Sequence, residues 1–162
     1  LKTSINLIAH SSRILLHGVG GSAAVAMDAH HKFFRLGIPC EWYEDTHMAV
    51  MAASMMKSSE VFIAISHSGS TKDIVEVLKV ANKTGAETIS IVSTLKSPVS
   101  KVSKHVLCVD APETNFKFEP MTSRIAQLSV IDALAVGVSL MRSDEVLENL
   151  KKSRAALIDK RY

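Results

Sequence analysis

The stretch Val61-Phe62-Ile63-Ala64-Ile65 runs straight into Ser66-His67-Ser68-Gly69-Ser70-Thr71-Lys72. A short apolar run bounded by turn formers has the pattern of a buried strand, and the residues from Lys72 to Thr84 have the spacing of a helix. The turn between them is rich in hydroxyls, with four Ser or Thr within the six positions 66–71. N–H groups at a helix start carry a partial positive charge, and each Ser or Thr hydroxyl can donate one further hydrogen bond to a phosphate oxygen. Gly69 lets the backbone turn closely around an anion. A single hydroxyl residue here would be explained as an N-cap. Four favour an anion cradle.

Working outward, the same alternation recurs. Ile14 to Leu16, Ile38 to Tyr43, Thr88 to Val92 and His105 to Val109 read as four further strands. Leu1 to Ser11, Ala23 to Leu36, His47 to Met56 and Pro98 to Ser103 read as helices between or before them. Gly37 and Gly85 stand where left-handed C-caps are needed. After a loop from Ala111 to Pro120, a long helix from about Ser123 to Met141 and a more polar one from about Asp144 to Asp159 close the chain. Strands alternating with helices imply an α/β fold: a doubly wound, five-stranded parallel sheet with helices on both faces, forming one domain over 1–162. Ligands in such sheets bind beyond the carboxyl ends of the strands, so the loops after the first, third and fourth strands are the places to search.

The first strand ends in His17-Gly18-Val19-Gly20-Gly21-Ser22-Ala23, again opening a helix. Read as GxGxxA, with Glu44 or Asp45 about 20 residues on, it is compatible with dinucleotide binding. That reading leaves the second hydroxyl-rich loop unexplained. Two loops meeting over one phosphomonoester explain both, and neither has the order of a Walker A loop.

These residues resemble a known family. Ser66-His67-Ser68-Gly69-Ser70-Thr71 resembles the SxSGxT signature of the sugar isomerase (SIS) domain, a flavodoxin-like fold, and Gly18-Val19-Gly20-Gly21-Ser22 resembles its first-strand loop. The segments from Asp28 to Gly37 and from Met121 to Leu128, with Ile131-Asp132, resemble the RpiR-type regulators, whose SIS domain follows an N-terminal helix-turn-helix domain. The resemblance implies that hydroxyls matching Ser22, Ser66, Ser68 and Thr71 hold the phosphate of a hexose, amino-sugar or sugar-acid phosphate. It also implies a cytoplasmic homodimer that reaches DNA only through a helix-turn-helix portion that this chain lacks. An aldose-ketose isomerase on the same fold is the alternative, with Glu119, Glu113 and His47 as the groups available to move protons.

Further candidates surround the cradle. Gly20, Gly21 and the His67 backbone belong to its loops, while Ser93 and Ser97, after the fourth strand, could extend it. Ser97 before Pro98 fits an N-cap equally well. His47, after Asp45-Thr46, is placed either to contact a sugar hydroxyl or to cap a helix. Glu119 and Arg124 flank the long helix, where Arg suits phosphate or carboxylate oxygens and Glu suits sugar hydroxyls. His17, His31 and His105 read as packing or capping residues. No HxH, HExxH or CxxC spacing occurs, so no metal is expected, and no cofactor is implied.

Composition fits this picture. Hydrophobic residues make up 47% and charged residues 22%, ordinary globular usage, and the net charge of +3 is small. The closing run Lys151, Lys152, Arg154, Lys160 and Arg161 reads as a solvated helix face. Cys40 and Cys108, in apolar runs without partners, read as buried reduced thiols. Val130 to Met141 is too short for a bilayer and reads as a buried helix; the apolar residues on nearly every face of the helix from Ser123 to Met141 point to a two-fold dimer contact.

Overall fold

The computed structural model describes residues 1–111 and 121–158. Glu113, Glu119, Lys160 and Arg161 lie outside the described residues. The chain opens with α1 (Lys2–Ala9), β1 (Ile14–Gly18), α2 (Gly21–Arg35) and β2 (Cys40–Tyr43). It continues through α3 (Thr46–Ser54), β3 (Val61–Ser66), α4 (Lys72–Lys83) and β4 (Glu87–Val92). It ends with α5 (Pro98–Val102), β5 (His105–Cys108), α6 (Thr122–Met141) and α7 (Ser143–Ala155). Each helix between strands is a crossover, and all five strands pair in parallel in the order β2-β1-β3-β4-β5.

Side chains alternate across a strand, so each central strand feeds two cores. On one face Ile14 and Leu16 of β1, Ile63 and Ile65 of β3 and Ile89 and Ile91 of β4 meet Phe33 of α2 and Ile131, Leu134 and Val138 of α6. On the other, Leu15 and Phe62 meet Ala49 and Ala53 of α3 and Ile74, Val77 and Leu78 of α4. Gly37 and Gly85 follow α2 and α4 with φ of 81° and 85°. The strand β3 is buried at every position and sealed on both edges by β1 and β4. Whatever follows it is therefore held on a rigid base.

Three expectations from sequence need correction. Cys108 is exposed and Cys40 only half-buried, because β2 and β5 are edge strands and an apolar run there lacks a cover on one side. Burial and the Glu41 carboxylate nevertheless push the Cys40 thiol up to about 11, which keeps it protonated at neutral pH. His31 is exposed on α2 rather than packed. The helix α6 is not buried all round: one face enters the core, while Ile125, Val136 and Leu140 (73% exposed) face outward. At 20 residues α6 has the length and apolarity to cross a membrane, but Ile131, Leu134 and Val138 are spent on the domain's own core.

His17, at the end of β1, is fully buried, with its Nδ1 2.8 Å from the Tyr43 carbonyl oxygen. A carbonyl only accepts, so Nδ1 carries a proton, and burial favours the neutral form of the ring. Burial holds the His17 pKa below its ordinary value of about 6.5, outweighing the Tyr43 carbonyl, Asp73 and Asp45, which pull the other way. As pH falls below about 6.5 the unfolded chain takes up a proton that folded His17 resists, so stability falls with it. Urea unfolding between pH 8 and pH 5 should show this loss, with a shallower slope in His17→Gln; equal slopes would contradict the assignment.

Candidate functional site

Strand order reverses between β1 and β3, so the chains leaving their carboxyl ends diverge and open a crevice. A cavity of about 230 Å³ lies there. Its walls come from three places: Val19, Gly21 and Ser22 around the start of α2; Ile65 through Ser68, Thr71 and Ile74 around the start of α4; and Ser123, Arg124 and Gln127 on α6. This volume is below the roughly 300–1,000 Å³ of drug-sized ligand sites, and so suits a small ligand rather than a dinucleotide. The Asp45 carboxylate, a candidate ribose contact in a dinucleotide fold, accepts from the Met48 N–H at 2.8 Å as the cap of α3.

The local folding of the two turns is dictated by close backbone approach. A Cβ on Gly18 would lie 2.6 Å from the Ser22 carbonyl oxygen, so only glycine lets β1 turn this tightly into α2. Gly69 has φ of 63°, in the left-handed region, and a Cβ there would collide with the Ser97 side chain. Together these turns aim the starts of α2, 15 residues long, and α4, 12 residues long, at one cavity. Each start presents N–H groups without intrahelical partners and the positive end of a helix dipole.

The hydroxyls are disposed as donors. Ser66 Oγ accepts from the Gly69 N–H and Ser68 Oγ from the Ser70 N–H, both at 3.2 Å, which leaves each O–H proton to give. Thr71 is the N-cap residue of α4, yet its side chain makes no capping bond. Ser22, in the first turn of α2, makes no side-chain hydrogen bond among the described residues. Helix capping thus accounts for neither Ser22 nor Thr71. Arg124 supplies the one full positive charge among the described lining residues, and no carboxylate is among them. Its Nη2 would lie 3.3 Å from a Cβ on Gly21, which places the guanidinium over the start of α2. The arrangement can hold a small dianion by neutral donors, two dipoles and one cation.

Of the residues nominated from sequence, the structure brings Gly21, Ser22, Ser66, His67, Ser68, Thr71 and Arg124 around this cavity. Gly20 is the N-cap residue of α2, just outside the wall. Ser93 lies behind it: its N–H and O–H both donate to the His67 carbonyl oxygen, at 3.0 and 2.6 Å. Ser97 caps α5, and the Val99 N–H two residues on donates to the Gly69 carbonyl at 2.9 Å. The β4–α5 loop therefore braces the cradle from outside. His47 is exposed in the first turn of α3 and does not reach the cavity. Glu119 lies outside the described residues. Sequence reasoning did not single out Ser123 and Gln127, both buried. Their signal was present as two polar residues four apart, in register with Ile131 on the same helix face. Among the described residues no three His, Cys, Asp or Glu side chains gather as metal ligands would.

Comparison with known proteins gives this geometry a context. The family model described as "SIS domain" matches residues 7–137. The HTH-type transcriptional regulator RpiR of Escherichia coli (strain K12) is 35% identical over 144 residues, covering 89% of this chain and 48% of the relative. The HTH-type transcriptional regulator HexR of the same strain is 35% identical over 162 residues, covering all of this chain and 56% of the relative. The chain thus spans about half the length of these curated relatives. The solved structure of the Vibrio vulnificus NanR protein complexed with ManNAc-6P matches with a TM-score of 0.89 at 24% identity, covering 99% of this chain and 62% of that one. At that identity the match establishes the fold alone.

Hydrogen bonds to a charged group contribute about 1.5 to 3 kcal/mol each. Ser66→Ala, Ser68→Ala and Thr71→Ala should therefore each weaken binding of inorganic phosphate about 10- to 150-fold, read by calorimetric titration. Thr71→Ala should leave the melting temperature nearly unchanged, since that hydroxyl caps nothing. Wild-type phosphate affinity in all three variants would remove the hydroxyls from the cradle.

Proposed function

The chain belongs to the SIS domain family, and from that membership we propose that it is the sugar-phosphate-sensing domain of a bacterial transcriptional regulator. It forms one domain that binds a phosphorylated hexose, amino sugar or sugar acid without transforming it. The observation that carries this reading is the single cavity in which Ser22, Ser66, Ser68 and Thr71 meet the starts of two helices and the Arg124 guanidinium. A phosphomonoester matches that donor set, and the remaining volume suits the attached sugar.

The regulator role draws its support from relatives named as HTH-type transcriptional regulators at about 35% identity. The NanR structure with ManNAc-6P supports a sugar phosphate as the effector class. On this reading DNA contact belongs to a helix-turn-helix portion of the parent, and the protein works in the cytoplasm. A sensor needs different affinities for its ligand in two states of the parent, and no turnover.

Assembly follows from the outer face of α6. Val136 and Leu147 are exposed in a groove of about 510 Å³ between α2, α6 and α7, lined also by Lys32, Arg35 and Asp132, and Leu140, one turn beyond Val136 on α6, is exposed outside it. An apolar face bordered by both signs of charge is suited to pairing with its own copy about a two-fold axis. The domain is therefore a homodimer in which α6 serves the ligand at one end and the partner at the other.

Two measurements test these statements. In a thermal-shift panel, glucose 6-phosphate, fructose 6-phosphate, glucosamine 6-phosphate and 6-phosphogluconate are compared with their unphosphorylated forms at equal concentration. At least one phosphorylated compound should raise the melting temperature while its counterpart does not, because only ligands of the folded state stabilise it. Equal shifts from both forms would remove the phosphate from the account. In sedimentation the domain should be a dimer at micromolar concentration and Leu140→Glu a monomer; a monomeric wild type would contradict the interface.

A further inference from the structure

The buried face of α6 consists of Ser123, Gln127, Ile131, Leu134, Ala135 and Val138. Its last four members are core residues beneath the sheet's first face. Its first two are polar and line the cavity. Positions four apart stack on one helix side, so Gln127 stands directly between the cavity wall at Ser123 and the apolar core at Ile131. An apolar residue would continue the stripe at no cost. Instead a long amide is held there with only 3% of its surface exposed.

That amide makes no hydrogen bond among the described residues. A primary amide carries two donors and an acceptor, and because it borders the cavity it meets solvent there until a ligand displaces it, after which its groups need partners on that ligand. The cavity is the open space in front of it. Its chemistry differs from that of the cradle. The hydroxyls, helix starts and Arg124 donate to an anion, whereas Gln127 is neutral and offers both an acceptor and donors. A sugar hydroxyl is the complementary group, because it too both gives and takes a hydrogen bond.

We propose that Gln127 is the specificity-determining residue of the site, reading a hydroxyl on the sugar portion of the ligand while the cradle holds its phosphate. This deepens the sugar-phosphate reading above and rests on it. Arg124, three residues earlier on the same helix, lies over the start of α2, so consecutive turns of α6 divide the ligand between them: one for the charged end, the next for the neutral body. A site built to hydrogen-bond a hydroxyl discriminates strongly against ligands that lack it, because its own buried group is then left unpaired.

The test separates recognition of the sugar from recognition of the phosphate. Titrations compare inorganic phosphate with the best-binding hexose 6-phosphate of the panel, using wild type, Gln127→Met and Ser66→Ala. Methionine has nearly the length of glutamine and no hydrogen bonds. Gln127→Met should lower the ratio of sugar-phosphate to inorganic-phosphate affinity about 10-fold or more, while Ser66→Ala should lower both affinities together. A second measurement reads the hydroxyl itself: within a series of monodeoxy analogues of that ligand, one should bind wild type at least about 10-fold more weakly than the parent compound, and a series with no such analogue would overturn the role of Gln127 without any variant. In Gln127→Met that penalty should vanish. An unchanged affinity ratio, or a deoxy penalty that persists in the variant, would overturn the role of Gln127 and leave the sugar-phosphate reading standing. Wild-type protein that holds no sugar phosphate more tightly than inorganic phosphate would overturn both.

Discussion

Everything at this site depends on bringing two helix starts to one point, and a parallel sheet does that only where its strand order reverses. The positive ends of α2 and α4 would repel one another if nothing negative lay between them. Their convergence across β1 and β3 is a standing demand for an anion. Backbone N–H groups meet that demand at fixed positions, with no flexible side chain to order. The four hydroxyls and Arg124 then add to a geometry the backbone has already set.

Holding that geometry takes support from outside the cavity. The turn after β3 is gripped from behind by the β4–α5 loop and the first turn of α5, through Ser93 on the His67 carbonyl and Val99 on the Gly69 carbonyl. At Gly18 and Gly69 the chain comes too close to its neighbours for a Cβ. The helix α6 does three things along its length. Its first turns wall the cavity, its middle closes the core, and its outer face is an exposed apolar surface. A ligand that engages the first turns and a partner that covers the outer face would act on one rigid element, a physical basis for passing the state of the site to the assembly.

How much of this could be read from the sequence follows from how local each signal is. The run from Val61 to Lys72 declares a strand, a turn and a helix start within twelve consecutive residues, and the strand boundaries elsewhere fall within two or three residues of those expected. Ser22, Ser66, Ser68 and Thr71 were legible for the same reason: each sits where a strand hands over to a helix. Ser123 and Gln127 were not, because in a helix as apolar as α6 two polar residues look like interruptions until the core is known to end at Ile131. His47 shares a strand end with the cradle loops, but β2 is an edge strand one position away from the reversal, so α3 starts clear of the cavity. The same edge effect exposes Cys108 on β5. Sequence periodicity tells which residues share a face; it does not tell which strands end up outermost.

The SIS fold and its phosphate cradle serve sensing and isomerisation alike, so the account stands on whether the bound sugar survives. The most direct measurement is to incubate the best-binding sugar phosphate with the domain at high protein concentration and follow the ligand by proton NMR for hours. The account requires the spectrum to remain that of the starting compound. Conversion to its aldose or ketose isomer at a rate abolished by Glu119→Gln would mark Glu119 as a general base, and would make this protein an enzyme rather than a sensor.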